Sequence, residues 1–181
     1  MKNIVLLILL FHFFSVKSQN IKDNGIYKTK EDFISGILTD DFNKCHHCVV
    51  NDLSNRYVRV QKDGIKTKYK TSDIWGFRKN GFDYRIYNKE YFRIDVKEGI
   101  FIYTLQGYYA SDIPMVVESH YFSKNIDAPI IELTRNKMKK EYCNDSIITN
   151  KLNKLPKKIA IDRKYSDCNC YYITEWFNQN K

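Results

Sequence analysis

The run Ile74-Trp75-Gly76-Phe77-Arg78-Lys79-Asn80-Gly81-Phe82-Asp83-Tyr84-Arg85-Ile86-Tyr87 decides the fold. Asn-Gly is the strongest short hairpin signal, because both central residues of the tight turn that matches strand twist need positive φ. On the return arm Phe82, Tyr84 and Ile86 alternate with Asp83, Arg85 and Tyr87, a period of two that marks a strand with two unlike faces. An antiparallel hairpin therefore anchors the middle of the chain. Trp75 reads as a core anchor, and Gly76 as a point of close strand approach or bulging.

Outward to the C-terminus, Asn88-Lys89 turns into a run where Phe92, Ile94 and Val96 alternate with Tyr91, Arg93 and Asp95. Lys97-Glu98-Gly99 turns again into Ile100 to Leu105, whose near-continuous apolar character suits a strand covered on both faces. Met115 to Phe122 and Pro129 to Leu133 predict a further strand pair, with Pro114 and Pro129 at strand starts where a missing N–H is tolerated. At Thr134 the pattern becomes helical. Thr134 caps a lysine-rich helix, Ser146 caps a second one ended before Pro156, and Tyr171 to Phe177 places Tyr172 and Trp176 on a helical stripe, with a strand nearly as good a reading of that tail.

Outward to the N-terminus, Val58 and Val60 alternate with Tyr57 and Arg59, and Asp63-Gly64 marks a turn before Lys66 to Lys70. The polar stretch from Asp40 to Leu53 predicts a loop or arm. Gly25 to Thr29 reads as a short extended segment, and Lys30 to Ile34 as one helical turn with an acidic start.

Residues 1–18 read as a signal peptide, with Lys2, an apolar run from Ile4 to Phe14, and Val16-Lys17-Ser18 at the cleavage point. The run is too short for the roughly 20 residues that a spanning helix needs. Residues 19–181 are then a single exported domain, periplasmic or at the cell surface, with no transmembrane segment after cleavage. The chain carries 30 basic and 21 acidic residues. Two of the basic ones are in the leader, which leaves +7 on the exported part. Such a surplus favours an anionic envelope component as partner, with nucleic acid excluded by the address, or it serves solubility alone.

The five cysteines are Cys45, Cys48, Cys143, Cys168 and Cys170. Cys45-His46-His47-Cys48 could hold zinc or copper, completed by Cys168 and Cys170, because thiolate and imidazole suit borderline metals. The Cys45-x-x-Cys48 spacing also permits a thiol pair. Plain disulfides are the expected state of an exported chain, with no cofactor. For hydrolysis, no nucleophile elbow, phosphate loop or zinc-protease signature occurs. His120 reads as a half-exposed strand residue, and the acid pairs, Asp95 with Glu98 among them, as solvated or capping groups in turns. The Tyr57/Arg59, Tyr84/Arg85 and Tyr91/Arg93 pairs could present stacking and charge together to a ligand.

The order Gly25-Ile26-Tyr27 with Asp32-Phe33, then Trp75-Gly76-Phe77, then Ile131-Glu132-Leu133-Thr134 before a lysine-rich helix, resembles a group of small uncharacterised exported proteins of Bacteroidetes-type bacteria. In that group the hairpin turn reads Asp-Gly, where this chain has Asn80-Gly81, and the Cys-His-His-Cys run is particular to this chain. The resemblance implies export and carries no catalytic residue.

Together these readings predict an α+β domain: an antiparallel meander of about six to eight strands, twisted or partly closed into a barrel, with short C-terminal helices. The expected function is a non-catalytic binding or structural module of the envelope. The alternatives are a metal-binding or thiol-redox protein using the Cys-His-His-Cys cluster, and a hydrolase of an envelope polymer.

Overall fold

The structure is a computed structural model and describes residues 23–47, 57–109, 115–157 and 159–178. The signal peptide read in residues 1–18, and Cys48, lie outside the described residues.

The hairpin forms as the sequence dictates. Strands β6 (Gly76–Lys79) and β7 (Phe82–Tyr87) pair from Lys79↔Phe82 to Gly76↔Arg85. Asn80 and Gly81 take φ of 52° and 77° in the turn between them. A Cβ on Gly76 would stand 2.2 Å from the Tyr84 carbonyl oxygen, so only glycine lets these strands approach. Strands β8 (Glu90–Val96), β9 (Phe101–Tyr109), β10 (Met115–Ser123) and β11 (Ile131–Glu132) extend the meander on one side. On the other side β1 (Gly25–Tyr27) and β2 (Asp40–Asp41) complete an eight-stranded antiparallel sheet, ordered β11-β10-β9-β8-β7-β6-β1-β2. The sheet stays open, because its edges β11 and β2 do not pair; of the two predicted shapes the barrel is not realised.

Between β2 and the hairpin lie β3 (Lys44–His47), β4 (Tyr57–Lys62) and β5 (Ile65–Lys70), a separate three-stranded sheet ordered β3-β4-β5. Residues 40–47, predicted as loop or arm, are thus largely strand. Their side chains are polar because β2 and β3 are edge strands held by backbone pairing (Ile26↔Asp40, Cys45↔Val60) and need little apolar alternation.

Cross-strand partners share a face, so the register sorts the side chains. One face of the large sheet carries Tyr27, Phe92, Ile94 and Tyr103. It is covered by α1 (Lys30–Ile34) through Phe33, whose ring stacks on Trp75 at 4.6 Å between centroids. Thr29 and Asp32 close a capping box at the start of α1, which explains how so short a helix holds. The opposite face has two covers. Near β1, β6 and β7, the small sheet packs Val58, Val60 and Tyr69 onto Ile26, Phe77 and Tyr91. Near β9 and β10, α2 (Arg135–Glu141), α3 (Ser146–Lys154) and α4 (Thr174–Asn178) bury Met138, Ile148, Leu152 and Trp176 against Ile102 and Phe122. Thr134 caps α2 as expected. The cap of α3 is Asp145 rather than Ser146, its carboxylate accepting from the Ile148 N–H at 3.0 Å. A carboxylate is the stronger acceptor at a helix N-terminus, which favours the earlier start.

Candidate functional site: a polar seam between two covers

Strand register lines up one transverse row on the doubly covered face: Ile26, Phe77, Tyr84, Arg93, Thr104 and His120. Its first members are apolar or aromatic and lie beneath the small sheet. Its last three are polar. The change falls at the seam where the small sheet gives way to the C-terminal segment.

Asp95 joins this row through an irregularity. The β8–β9 register shifts between Ile94 and Val96, so Asp95 sits at a bulge beside Arg93 and Thr104. Its carboxylate accepts from Arg93 Nε at 2.7 Å, Thr104 Oγ1 at 2.6 Å and the Tyr171 hydroxyl at 2.7 Å. The Lys164 ammonium lies 4.0 Å away and over the Tyr171 ring, 4.4 Å from its centroid. Burial pushes the Asp95 carboxyl up, but the three donors outweigh it and hold the group below the ordinary carboxylate value. Burial and the Asp95 charge push the Tyr171 phenol far up.

His120 closes the network. Its Nδ1 lies 3.2 Å from Thr104 Oγ1 and 3.0 Å from the Tyr171 oxygen. Both hydroxyl protons already point at Asp95, so Nδ1 carries the proton and donates. Burial lowers the His120 pKa, against the pull of Asp162, whose carboxylate lies 4.0 Å from Nε2. A neutral imidazole, an ionised carboxylate and two hydroxyls thus form one hydrogen-bonded unit.

Above this floor opens a cleft of about 690 Å³. Phe82, Lys97 and Glu98 line it from the meander, and Lys164, Tyr171 and the Cys168–Cys170 turn from the C-terminal segment. The Phe82 ring is 56% exposed and receives the Arg93 guanidinium at 5.6 Å. The volume lies in the range of small-ligand pockets.

A second buried carboxylate occupies the other face. Asp83 accepts from Tyr27 at 2.7 Å, Arg78 Nε at 2.7 Å and Lys97. Burial raises its pKa, and these donors reverse that and leave it lowered. It is sealed beneath the sheet, 4% exposed, and acts as a structural tie.

The described residues of the expected metal site are not brought together in one group. Cys168 and Cys170 are joined as a disulfide on the rim of the cleft. Cys45 is disulfide-bonded on β3 and packs at the margin of the small-sheet core. His46 Nε2 lies 3.0 Å from Gln61 Oε1, His47 pairs through its backbone with Arg59, and Cys48 lies outside the described residues. Among the described residues no group of three or more His, Cys, Asp or Glu side chains could hold a metal ion. Two readings are corrected. Asp95 is not a solvated turn carboxylate paired with Glu98, since the bulge turns it inward onto Arg93. Tyr84 and Arg85 do not present ring and charge together, because adjacent strand residues point to opposite faces; Arg85 is buried, donating to the Tyr103 hydroxyl and the Ala128 carbonyl, each at 3.2 Å.

No family model, curated protein or solved structure matches this chain. The reading of function rests on the seam itself. Of its members, the sequence offers Arg93 only beside Tyr91, Asp95 only as a turn carboxylate with Glu98, and His120 only as a half-exposed strand residue. Tyr171 reaches Asp95 across 76 positions, a distance no local pattern announces.

Proposed function

We propose that this chain is an exported, non-catalytic module that holds a component of the cell envelope in the seam cleft. The observation that carries this reading is that Asp95, beneath an open pocket, is held by three donors from Arg93, Thr104 and Tyr171. A general base must offer a lone pair to substrate, and a general acid a proton near the working pH. Here the carboxylate holds three donors, the Tyr171 phenol ionises far above neutrality, both hydroxyl protons are committed to Asp95, and His120, whose Nε2 keeps its lone pair, is not among the residues that line the cleft. Such a unit fixes geometry. It holds Phe82, Arg93 and Lys164 in place as a ring and two cations around a polar ligand.

The address supports the envelope as the source of that ligand, as does the resemblance to small exported proteins. The mixture of Arg93 and Lys164 with Glu98 around an exposed ring suits a ligand with an anionic group and a flat apolar side, such as a substituted sugar. The test is expression in the native cell of residues 1–181 and of a Phe82→Ala/Lys164→Glu variant, followed by fractionation. The unmodified chain should leave the cytosol, lose its leader and sediment with envelope material, and the variant should be released in soluble, folded form. Equal retention of the variant, or an uncleaved chain in the cytosol, would overturn the reading.

A further inference from the structure

The small sheet has an outer face that the seam does not use. Along β3, β4 and β5 the inward positions are Cys45, Val58, Val60 and Tyr69, which pack on the large sheet. The outward positions follow from the register: Lys44 beside Gln61 and Lys66, Arg59 beside Lys68, and Tyr57 beside Lys70. The three strands hold six cationic residues and no Asp or Glu. Lys62 leans to Asp41 at the end of the sheet. Lys44, Lys66, Lys68 and Lys70 are exposed and make no ion pair among the described residues.

Lysines on an edge strand discourage edge-to-edge pairing, and β5 is an edge. That role explains Lys66, Lys68 and Lys70 singly. It does not explain why Arg59, on the central strand, and Lys44, on the opposite edge, share their face, nor why no strand position among the described residues there carries an acid. Elsewhere on the surface opposite charges do meet, as in Lys137 with Glu132 at 2.7 Å and Lys30 with Asp127 at 2.8 Å. A pleated face repeats its outward side chains about every 6.8 Å along a strand and about 4.8 Å between strands, so the cations form a regular array of one sign. An array of one sign fits an extended polyanion, which gains by releasing its condensed counterions. A protein partner would need an apolar centre, and among the described residues this face offers only Tyr57, 37% exposed.

We propose that the outer face of β3–β5 docks an anionic polysaccharide, with Lys44, Arg59, Lys66, Lys68 and Lys70 facing its carboxylate or sulfate groups and the Tyr57 ring against a sugar. The face is separate from the seam cleft and stands or falls independently of it. Residues 19–181 are titrated with dextran sulfate, polygalacturonate and neutral dextran by affinity electrophoresis and calorimetry. Both polyanions should bind and neutral dextran should not. The logarithm of the affinity should fall linearly with the logarithm of salt concentration. A Lys66→Gln/Lys68→Gln/Lys70→Gln variant, with an unchanged circular dichroism spectrum and Tm, should lose at least tenfold in affinity at low salt and about two units of salt slope, at roughly 0.7 per lost contact. A Lys137→Gln/Lys139→Gln/Lys140→Gln variant removes the same charge from helix α2 and should bind normally.

Equal losses in the two variants would overturn the proposal in favour of net charge alone. Tighter binding to single-stranded DNA of matched charge, or to vesicles of anionic lipid in a manner lost on Ile65→Ser, would overturn it in favour of those partners. Because Phe82 and Lys164 lie outside this face, a Phe82→Ala/Lys164→Glu chain should still bind dextran sulfate. Loss of binding in that chain would place the polyanion in the cleft and refute the assignment.

Discussion

Replacing Asp95 by asparagine keeps the side-chain shape and removes the charge that three donors share. Arg93, Thr104 and Tyr171 each trade a charge-assisted hydrogen bond, contributing about 1.5–3 kcal/mol, for a neutral one contributing about 1. One of the three must also face the new amide hydrogens. The Arg93 and Asp95 side chains are only 19% and 12% exposed, so solvent replaces little of what is lost. The sum is about 3 kcal/mol, the lower end of what breaking a buried ion pair costs. For a domain of this size that is a fall in Tm of roughly 6–12 °C. The pH dependence gives the sharper test. The carboxyl is held below the ordinary value of about 3.9, so its contribution is complete above that value and disappears as pH falls through the depressed folded-state value. Thermal denaturation of both proteins, followed by circular dichroism from pH 7 downward, should show a gap that is constant near neutrality and closes in acid. A gap under about 2 °C at pH 7, or one that persists undiminished in acid, would refute the network as described.

Three further outcomes follow from the same structure. Gly76→Ala should cost at least about 3 kcal/mol in urea unfolding or prevent folding, because its methyl would stand 2.2 Å from the Tyr84 carbonyl and separate β6 from β7. Leu152→Ala, at a fully buried site of the helical cover, should cost about 2–5 kcal/mol and leave the small sheet unaffected by hydrogen exchange. His120→Gln should flatten the stability profile below pH 6.5. The unfolded chain takes up a proton there that the buried imidazole resists, so the unmodified protein loses stability as pH falls through that window while the variant does not. An unchanged profile in the variant would show that His120 titrates freely.

The parts of the fold legible in the sequence are those written in side-chain alternation and turn chemistry. Asn80-Gly81, the alternation through Ile94 and the cap at Thr134 each have a local physical cause, and each stands where that cause places it. Strands β2 and β3 escaped because Asp40, Asp41, His46 and His47 carry polar groups on edges that backbone pairing alone holds. The division into two sheets escaped too, since β4 and β5 alternate like any member of the meander. The seam was the least legible feature. Asp95 looks like a turn residue until the bulge between Ile94 and Val96 turns it inward, and Tyr171 is brought to it by its bridge to Lys164 and by packing with Ile173 and Trp176. The Cys-His-His-Cys run drew attention through residue type, whereas the carboxylate network depends on distant positions meeting.

The central claim is that a polar ligand from the envelope seats on the Asp95 floor between the meander and the C-terminal segment. The most direct measurement is a titration of ¹⁵N-labelled residues 19–181 with fractionated envelope carbohydrate, followed by NMR. The account predicts saturable shifts at residues 93–98 and 164–174 and at the Arg93 side chain, lost in Phe82→Ala/Lys164→Glu, whereas any shifts on the β3–β5 face persist there. Absence of shifts at 93–98 and 164–174, or their survival at these residues in the variant, would contradict it.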